Sequence, residues 1–195
     1  MPDDLTLGFD SSAAHCAAAL LSGDALIAER HEEMSRGQAE RLFPMINDLL
    51  ESAGVAWTDL ARIGVGIGPG NFTGIRIAVA AARGLALSLQ IPAIGISATE
   101  ALASGLPRPC RIVIPGRRGM IIWEDFGSSG AGPRQMPAET LPPGPPVLTP
   151  IRGIAHGTAL LARARDNGEQ PRPAPIYLRA ADAAPARDAG PVMLP

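Results

Sequence analysis

The hydrophobic and polar positions of the chain change their spacing several times, and each change predicts a different element. Three short apolar runs separated by polar turns open the sequence, which predicts antiparallel strands. Apolar side chains then recur every three or four positions, which predicts an amphipathic helix, and two continuous apolar runs predict buried strands. The first half contains predicted strands at 5–9, 16–21, 25–31, 62–68 and 91–97, and predicted helices from 38–41 to 53, at 73–89 and at 98–105.

Local signals at the helix ends support these predictions. Gly54 follows the last apolar residue of the first helix, a position where glycine commonly closes a helix. Pro44 has no N–H group to donate, so it must lie in the first turn of that helix or bend it. Ser97 and Glu100 have the spacing of a capping box at the start of the last helix.

The second half has a weaker pattern. Two apolar stretches around a Gly-Arg-Arg-Gly turn predict paired strands, and a segment rich in glycine and proline predicts an extended loop. We therefore divide the chain into an amino-terminal unit, 1–105, and a reduced carboxy-terminal unit, 106–195. The second unit contains predicted strands at 110–115 and 119–126, a loop at 127–150, a helix at 158–166, a docked segment at 175–182 and a loose tail from 184 onward.

Composition narrows the class of protein. The chain has 195 residues, of which 46% are hydrophobic and only 4% aromatic, so its core must be built from small and aliphatic side chains. The formal net charge is -2, which argues against a chain that binds nucleic acid through its overall charge. Acidic residues prevail up to residue 110 and arginines beyond it, and the chain has no lysine.

Cysteine use and the amino terminus are typical of a cytoplasmic protein. Cys16 and Cys110 are too few to form a disulfide framework. The residues before the first predicted strand are acidic and lack the basic and apolar regions of a signal peptide. The closest candidate for a membrane span, 77–89, is short and contains Arg83, so we expect no spanning segment.

The most distinctive stretch is Gly-Pro-Gly-Asn-Phe-Thr-Gly-Ile-Arg at 68–76, between a predicted strand and a predicted helix. Glycine-rich loops in this position often hold phosphate on the N–H groups of a helix start. This loop lacks the Gly-Lys-Ser/Thr ending of a Walker A loop, and it does not match the GxGxxG pattern. A phosphate site here would therefore rest on backbone groups alone.

A tight structural corner explains the same residues, and we favour it. Gly68 and Gly70 would allow unusual backbone angles beside the proline, and Gly74 would allow close packing in the first helical turn. Asn71 or Thr73 would cap the helix. The residues assigned to this corner are Gly68, Pro69, Gly70, Thr73 and Gly74.

A carboxylate and two hydroxyl groups, Asp10, Ser11 and Ser12, follow the first predicted strand. Such a turn can hold a phosphate or a magnesium-bound water, which makes these residues candidates for nucleotide binding. The alternative, which the local residues favour, is an Asx-turn whose polar groups satisfy the backbone of the loop itself.

The remaining candidate residues indicate no further chemistry. His15, His31 and His156 are scattered and form no metal-binding motif. Cys16 lies in a predicted strand without an evident histidine partner, so we interpret it as a buried small residue rather than a nucleophile.

The helix after the glycine loop has an unusual surface. At 100° per residue, one narrow stripe of this helix contains Arg76, Ala80, Arg83 and Leu87. The other residues of the helix are almost all small or apolar. The sheet of a small unit covers only one face, so the first helix or another chain should cover a second face. We hypothesise that the two helices form one face that docks another subunit.

Three stretches of the chain form a recognisable pattern. They are LGFDSSAAHCAAALL at the start, RLFPMINDLLESAG in the first helix and IGVGIGPGNFTGIRIAVAAARGLALSLQIPAIGISATEAL in the middle. They resemble the TsaB (YeaZ) family, whose members are bacterial partners of the tRNA-modifying protein TsaD. The resemblance covers residues 5–105 well, is faint over 110–126 and returns at PIYLRAAD.

The resemblance implies an α/β fold of the actin-like ATPase (ribonuclease H-like) class. This fold has two strand-strand-strand-helix-strand-helix repeats, and here the second would be reduced. It also implies a non-catalytic subunit that supports TsaD through a helix–helix interface, while TsaD places a threonylcarbamoyl group on the adenosine beside the tRNA anticodon. The helix residues that we expect at this interface are Met45, Leu49, Ile77, Ala78, Ala81 and Gly84.

The partners implied by the resemblance are a TsaD-like protein, a TsaE-like ATPase and, through the complex, tRNA, with a homodimer when the chain is alone. No intrinsic cofactor is expected, although ATP or ADP would fit at the interface of the complex. Where relatives commonly have Asp-Ala-Arg followed by Glu-Val-Tyr, this chain has Pro115-Gly116-Arg117 and then Met120-Ile121-Ile122. A role for the missing acidic pair therefore does not carry over to this chain.

Two other classes of function stay open. The actin-like class includes ATPases, and relatives of TsaD were labelled glycoproteases. A peptidase would need a metal site or an activated nucleophile, and an ATPase would need more acidic residues facing Asp10. A direct tRNA binder would use the arginine-rich second half.

Overall fold

The computed structural model describes residues 4–127, 131–166, 168 and 171–178. Its strands are β1 Leu5–Asp10, β2 His15–Ser22, β3 Ala25–Glu33, β4 Leu60–Gly66, β5 Ala93–Ile96, β6 Cys110–Pro115, β7 Met120–Phe126 and β8 Arg134–Pro137. Its α-helices are α1 Gln38–Ser52, α2 Phe72–Leu89, α3 Ala98–Ala103 and α4 Ile154–Arg165, and short 3-10 turns lie at Trp57–Asp59 and Ala138–Thr140.

The first five strands form one sheet in the order β3-β2-β1-β4-β5. The three opening strands pair antiparallel, as predicted, and β4 and β5 run parallel to β1. Alternate residues of β1 and β2 face opposite sides of the sheet. Leu7 and Leu20 pack with the residues of α1 and α2, whereas Ala17 and Ala19 pack with α4.

Helix α4 belongs to the second half of the sequence but covers the first sheet. It lies over β1 and β4, where glycines let its backbone approach closely. A Cβ atom at Gly8 would lie 2.5 Å from the Ala155 carbonyl oxygen, and one at Gly64 would lie 2.7 Å from the Ala162 Cβ atom. Strands β1, β2 and β4 of the first sheet are therefore covered on both faces, and one of these covers comes from beyond residue 105.

The second sheet is small and antiparallel, in the order β6-β7-β8. Its third strand, β8, lies inside the segment predicted to be an extended loop, so that prediction was wrong for 134–137. The strand is short and ends in Pro137, and it forms because its backbone pairs with the edge of β7. Thr99 of α3 donates a hydrogen bond of 2.5 Å to Glu124 of β7, which joins this helix to the second sheet.

Most element boundaries agree with the sequence patterns, with two differences. Pro44 lies in the interior of α1 rather than in its first turn, and α4 begins at Ile154 rather than 158. The strand predicted at 91–97 and the helix predicted at 98–105 are present as β5 and α3. Gly54 has φ +66 directly after the helix, and Ser97 forms the predicted capping box with Glu100.

The division of the chain at residue 105 stays a prediction. Residues 179–182 of the predicted docked segment and the predicted tail lie outside the described residues.

Helix α2 begins at Phe72, earlier than the apolar stretch considered as a membrane span. By length and hydropathy alone, this helix would suffice to cross a membrane. The core helix of a soluble protein passes the same test, and one face of α2 packs on the sheet.

We predict that Gly64→Ala destabilises the fold, because the added methyl group would collide with α4. Overpacking of this kind costs about 1–3 kcal/mol of unfolding free energy. Gly84→Ala is the matched control, since a Cβ atom there would have no neighbour within 4 Å, and alanine favours a helix by about 0.5–1 kcal/mol over glycine. Urea unfolding of both variants tests this, and equal stability of Gly64→Ala and the original chain would contradict it.

Candidate functional site

The two polar motifs of the first unit meet at the carboxyl ends of β1 and β4. Because these strands are parallel neighbours, the turn after β1 and the glycine loop after β4 emerge at the same edge of the sheet. The Ser11 hydroxyl donates a hydrogen bond of 2.8 Å to the Gly74 carbonyl oxygen, and the Asn71 N–H donates one of 2.5 Å to the Ser12 carbonyl oxygen. The loop and the turn therefore close on each other.

This close approach explains the glycines of the loop. A Cβ atom would lie 2.1 Å from the Ser12 carbonyl oxygen at Gly70 and 1.8 Å from the Ser11 carbonyl oxygen at Gly74. The prediction of close packing at Gly74 is confirmed. An unusual backbone angle is confirmed at Gly68, with φ +85, but is wrong at Gly70, where glycine is required by space instead.

The start of α2 is capped by Asn71, one of the two residues predicted for this role. Its side chain accepts hydrogen bonds from the N–H groups of Thr73 and Gly74. Thr73 is exposed and Pro69 is buried. The residues of the loop therefore form the structural corner that the sequence favours.

The Asp10 carboxylate is fully buried and makes local hydrogen bonds. Its Oδ1 atom accepts from the Ser12 N–H at 2.8 Å and from the Ser12 hydroxyl at 2.9 Å, which is the predicted Asx-turn. The His15 Nε2 atom lies 2.8 Å from the same oxygen. Sequence reasoning missed His15 as a member of this turn, although the short β1–β2 connection places it there.

The second carboxylate oxygen of Asp10, Oδ2, has no hydrogen-bond partner among the described residues. Both serine hydroxyls are already used within the protein. A nucleotide role for Asp10, Ser11 and Ser12 stays a prediction, and it rests on this one oxygen.

Other reactive groups are placed unfavourably for chemistry. Cys16 is buried, and this burial, reinforced by Glu32 and Asp10, raises the pKa of its thiol to about 11. The interpretation of Cys16 as a buried small residue is confirmed. Among residues 4–127, 131–166, 168 and 171–178, no cluster of three or more His, Cys, Asp or Glu side chains could hold a metal ion.

A second candidate site is an open apolar groove between α1 and α2, which we call the docking groove. It has a volume of about 400 Å³ and continues past Phe43 into a second hollow of about 620 Å³ beside Trp57. Phe43 is 44% exposed although it is large and apolar. The docking groove is lined by Ala39, Phe43, Ile77, Ala80, Ala81, Gly84 and Leu85.

The structure divides the residues predicted for a partner interface. Ile77, Ala81 and Gly84 line the docking groove. Met45, Leu49 and Ala78 are fully buried in the core, so their assignment to an interface was wrong.

The wrong assignment of these three residues has a simple physical cause. The buried stripe of α1 and the base of α2 face the sheet, and a partner cannot reach them. The sequence missed Phe43 as a residue of the docking groove and Trp57 as a residue of the second hollow. The only signal for Phe43 was that it lies off the helical stripe of Leu42, Met45, Ile46 and Leu49.

We predict that Gly74→Ala destabilises the chain by about 2–3 kcal/mol, because the new methyl group would overlap the Ser11 carbonyl oxygen. Thr73→Ala is the matched control and should change stability by less than about 0.5 kcal/mol, since Thr73 is exposed. Thermal unfolding of the two variants measures this difference. Equal losses in both would contradict the structural role of the corner.

We predict that Cys16 does not react with a thiol reagent at pH 8 while the chain is folded. A raised pKa keeps the thiol protonated well above neutral pH, and only the thiolate is reactive. The same property lowers stability as the pH rises from about 9 to 11, because the unfolded chain then releases this proton first. Thiol titration with and without denaturant tests reactivity, with Cys16→Ala as control, and rapid reaction of folded Cys16 would contradict it.

The sequence of this chain is similar to the sequences of known proteins. The chain matches the sequence model of a family described as TsaD, tRNA N6-adenosine threonylcarbamoyltransferase, over residues 30–132. It is 34% identical to the tRNA threonylcarbamoyladenosine biosynthesis protein TsaB of Escherichia coli over 125 residues, which is 62% of this chain and 54% of that protein. It is 36% identical to TsaB of Bacillus subtilis over 121 residues, covering 59% of this chain and 52% of that protein.

The fold agrees as well. The structure of YeaZ from Pseudomonas aeruginosa has a TM-score of 0.72 and 27% identity to this chain, and the match covers 90% of this chain and 100% of that one. Another structure, described as an uncharacterized protein with similarity to peptidase YeaZ from the same organism, has a TM-score of 0.73. Together with the strand order, this likeness confirms the predicted α/β fold of the actin-like class.

The match to the curated relatives is partial in length, since the chain spans about half of each of the two TsaB proteins. The family match over 30–132 nevertheless includes α1, β4, the glycine loop, α2 and β5. The chain belongs to the TsaB (YeaZ) family.

Proposed function

We propose that this chain is a non-catalytic partner subunit in the biosynthesis of tRNA N6-threonylcarbamoyladenosine, and that it binds a TsaD-like protein through the docking groove. The reaction is proposed from the TsaB relatives, which are named for this biosynthesis. The single observation that carries the partner role is the exposed apolar docking groove between α1 and α2.

The shape of the groove suits a helix of another protein. Its floor consists of small residues, Ala80, Ala81 and Gly84, which allow a partner backbone to approach α2 closely. Phe43 stands at its side as an exposed aromatic, and such residues often dominate the binding energy of an interface. The outer face of α1 carries the exposed Glu40 and Glu51, whereas Asp48 there pairs with Arg41, so the partner should present basic residues toward Glu40 and Glu51.

The non-catalytic role is supported by the placement of the reactive groups. The serine hydroxyls after β1 are engaged within the protein, and the Cys16 thiol is buried with a raised pKa. The chemistry would then reside in the TsaD-like partner, with a TsaE-like ATPase as a further member of the complex. ATP or ADP would bind at the interface of the complex, tRNA would be reached through it, and the chain would form a homodimer when alone in the cytoplasm.

One observation favours an enzymatic alternative, either an ATPase or a peptidase-like protein. The buried Asp10 Oδ2 atom, without a partner among the residues that the structure describes, could face a magnesium-bound water. Tight binding of ATP and magnesium by the chain alone, measured by titration calorimetry, would favour this alternative.

We predict that Ala81→Arg weakens binding of the TsaD-like partner by about a hundredfold or more, because a guanidinium group would fill the docking groove. Ala138→Arg is the matched control, since Ala138 is exposed in the second unit. Calorimetry with the purified partner measures the loss, and circular dichroism checks that both variants remain folded. Unchanged affinity of Ala81→Arg would refute the docking groove as the interface.

The position of the substitution matters for this test. Ala78→Arg should unfold the chain, because Ala78 is fully buried against the sheet. Restored modification of tRNA by the original chain, but not by Ala81→Arg, in a reconstituted reaction would connect the groove to the biosynthesis.

A further inference from the structure

The flank of α2 that faces away from α1 is covered by the segment 171–178, which we call the strap. The Ile176 N–H donates a hydrogen bond of 2.8 Å to the Ile67 carbonyl oxygen, beside the glycine loop. Arg83 Nε donates one of 2.8 Å to the Pro173 carbonyl oxygen, and Arg76 Nε donates one of 3.0 Å to the Tyr177 hydroxyl. The two exposed arginines of α2 are therefore positioned by the strap.

These contacts leave the cationic ends of both arginines available. Each guanidinium is held through Nε, and neither Arg76 nor Arg83 forms an ion pair with a carboxylate in the described part of the chain. The two residues are separated by two helical turns, or about 10 Å along the axis. Guanidinium groups fixed in this way are suited to bind phosphate groups bidentately.

Two aromatic rings stand beside these cations. Phe72 is 37% exposed and Tyr177, the only tyrosine of the chain, is 42% exposed. Their ring centroids are 4.9 Å apart, and the Arg76 guanidinium lies 3.7 Å above the centre of the Phe72 ring. In a chain with so few aromatic residues, two exposed rings in contact with an arginine form a distinct surface.

All charged side chains of α2 and the strap are arginines and therefore positive. Neither α2 nor the strap contains an aspartate or a glutamate, and the exposed Arg172 of the strap adds a further positive charge. By contrast, α1 carries acidic residues on its outer face. The basic surface therefore lies on the side of α2 opposite to the acidic helix.

We propose that this surface binds a single-stranded loop of RNA. Arg76, Arg83 and Arg172 contact its phosphates, and Phe72 and Tyr177 stack against its bases. We call these five residues the basic–aromatic strip. Unpaired RNA bases are commonly recognised by stacking on exposed aromatic and arginine side chains, while arginines contact the backbone.

The aromatic rings decide between RNA and an acidic protein surface. An acidic peptide would pair with the arginines, but its carboxylate side chains have no flat face that could stack on the two exposed rings. An unpaired base has a flat face that matches a ring, and every phosphate carries a negative charge. The combination therefore favours RNA over a protein partner at this place.

The strip borders the docking groove. Ile77 and Ala81 of the groove lie about 100° or more around the helix from Arg76 and Arg83, which are on the strap side, whereas Ala80 of the groove lies only about 40–60° from these arginines. A protein in the groove and an RNA loop on the strip would therefore contact adjacent flanks of α2. The inference rests on the strip alone and can be tested without the TsaD-like partner.

The test uses the full chain and a fluorescein-labelled RNA stem-loop whose loop nucleotides are unpaired, measured by anisotropy at several salt concentrations. The stem alone, as a blunt duplex, is the reference probe. We expect the stem-loop to bind more tightly than the duplex. We expect Arg83→Gln to weaken this binding about fivefold or more and to reduce the slope of log K against log salt by about 0.7.

Matched variants separate charge, stacking and folding. Arg30→Gln removes an exposed arginine of β3 and should leave RNA binding unchanged. Tyr177→Leu should weaken binding about tenfold. Tyr177→Phe should weaken it less, because it keeps the stacking ring and loses only the hydroxyl group that holds Arg76. Arg83→Lys should retain most of the binding, and thermal unfolding checks that each variant is folded.

Several results would overturn the proposal. These are a dissociation constant for the stem-loop weaker than about 100 μM at low salt, equal effects of Arg83→Gln and Arg30→Gln, or no effect of Tyr177→Leu. Binding of a poly-glutamate peptide that depends on the arginines, without binding of RNA, would assign the surface to an acidic protein instead. Phe43→Ser in the docking groove should abolish partner binding and leave RNA binding intact, so failure of the strip and failure of the groove give different results.

Discussion

The close backbone contact between the turn after β1 and the glycine loop after β4 determines how α2 is placed on the first sheet. The Ser11 and Ser12 carbonyl oxygens occupy the space that side chains at Gly74 and Gly70 would need. The Ser11 hydroxyl and the Asn71 N–H then join the two segments by hydrogen bonds. Because Asn71 also caps α2, this contact fixes where that helix begins and how it leaves the sheet.

Helix α2 can serve several neighbours because its residues are small. Its base packs into the core through Ile75, Ala78 and Ala82, while Ile77 and Ala81 face the docking groove. Its third flank carries arginines that hold the strap. A helix with large side chains on every flank could not be this close to a sheet, a second helix and an extended segment at once.

At the same edge of the sheet, most polar groups have a structural role. In α/β folds, the carboxyl ends of parallel strands are the usual place for ligands. Here the polar groups at that edge bond mainly to each other, and only the Asp10 Oδ2 atom is left without a partner among the described residues. The exposed features lie instead on α1, α2 and the strap, which is consistent with a role in binding other macromolecules.

The sequence by itself determined the order of the elements in the first unit, the helix caps at Gly54 and Ser97, and the family through the glycine loop. These depend on local spacing, which one stretch of sequence contains completely. Only the tertiary structure decided that α4 covers the first sheet, that His15 joins Asp10, and that Phe43 rather than Met45 or Leu49 borders the groove. Those outcomes depend on contacts between residues far apart in sequence, and helical periodicity shows that a residue is apolar without showing which neighbour buries it.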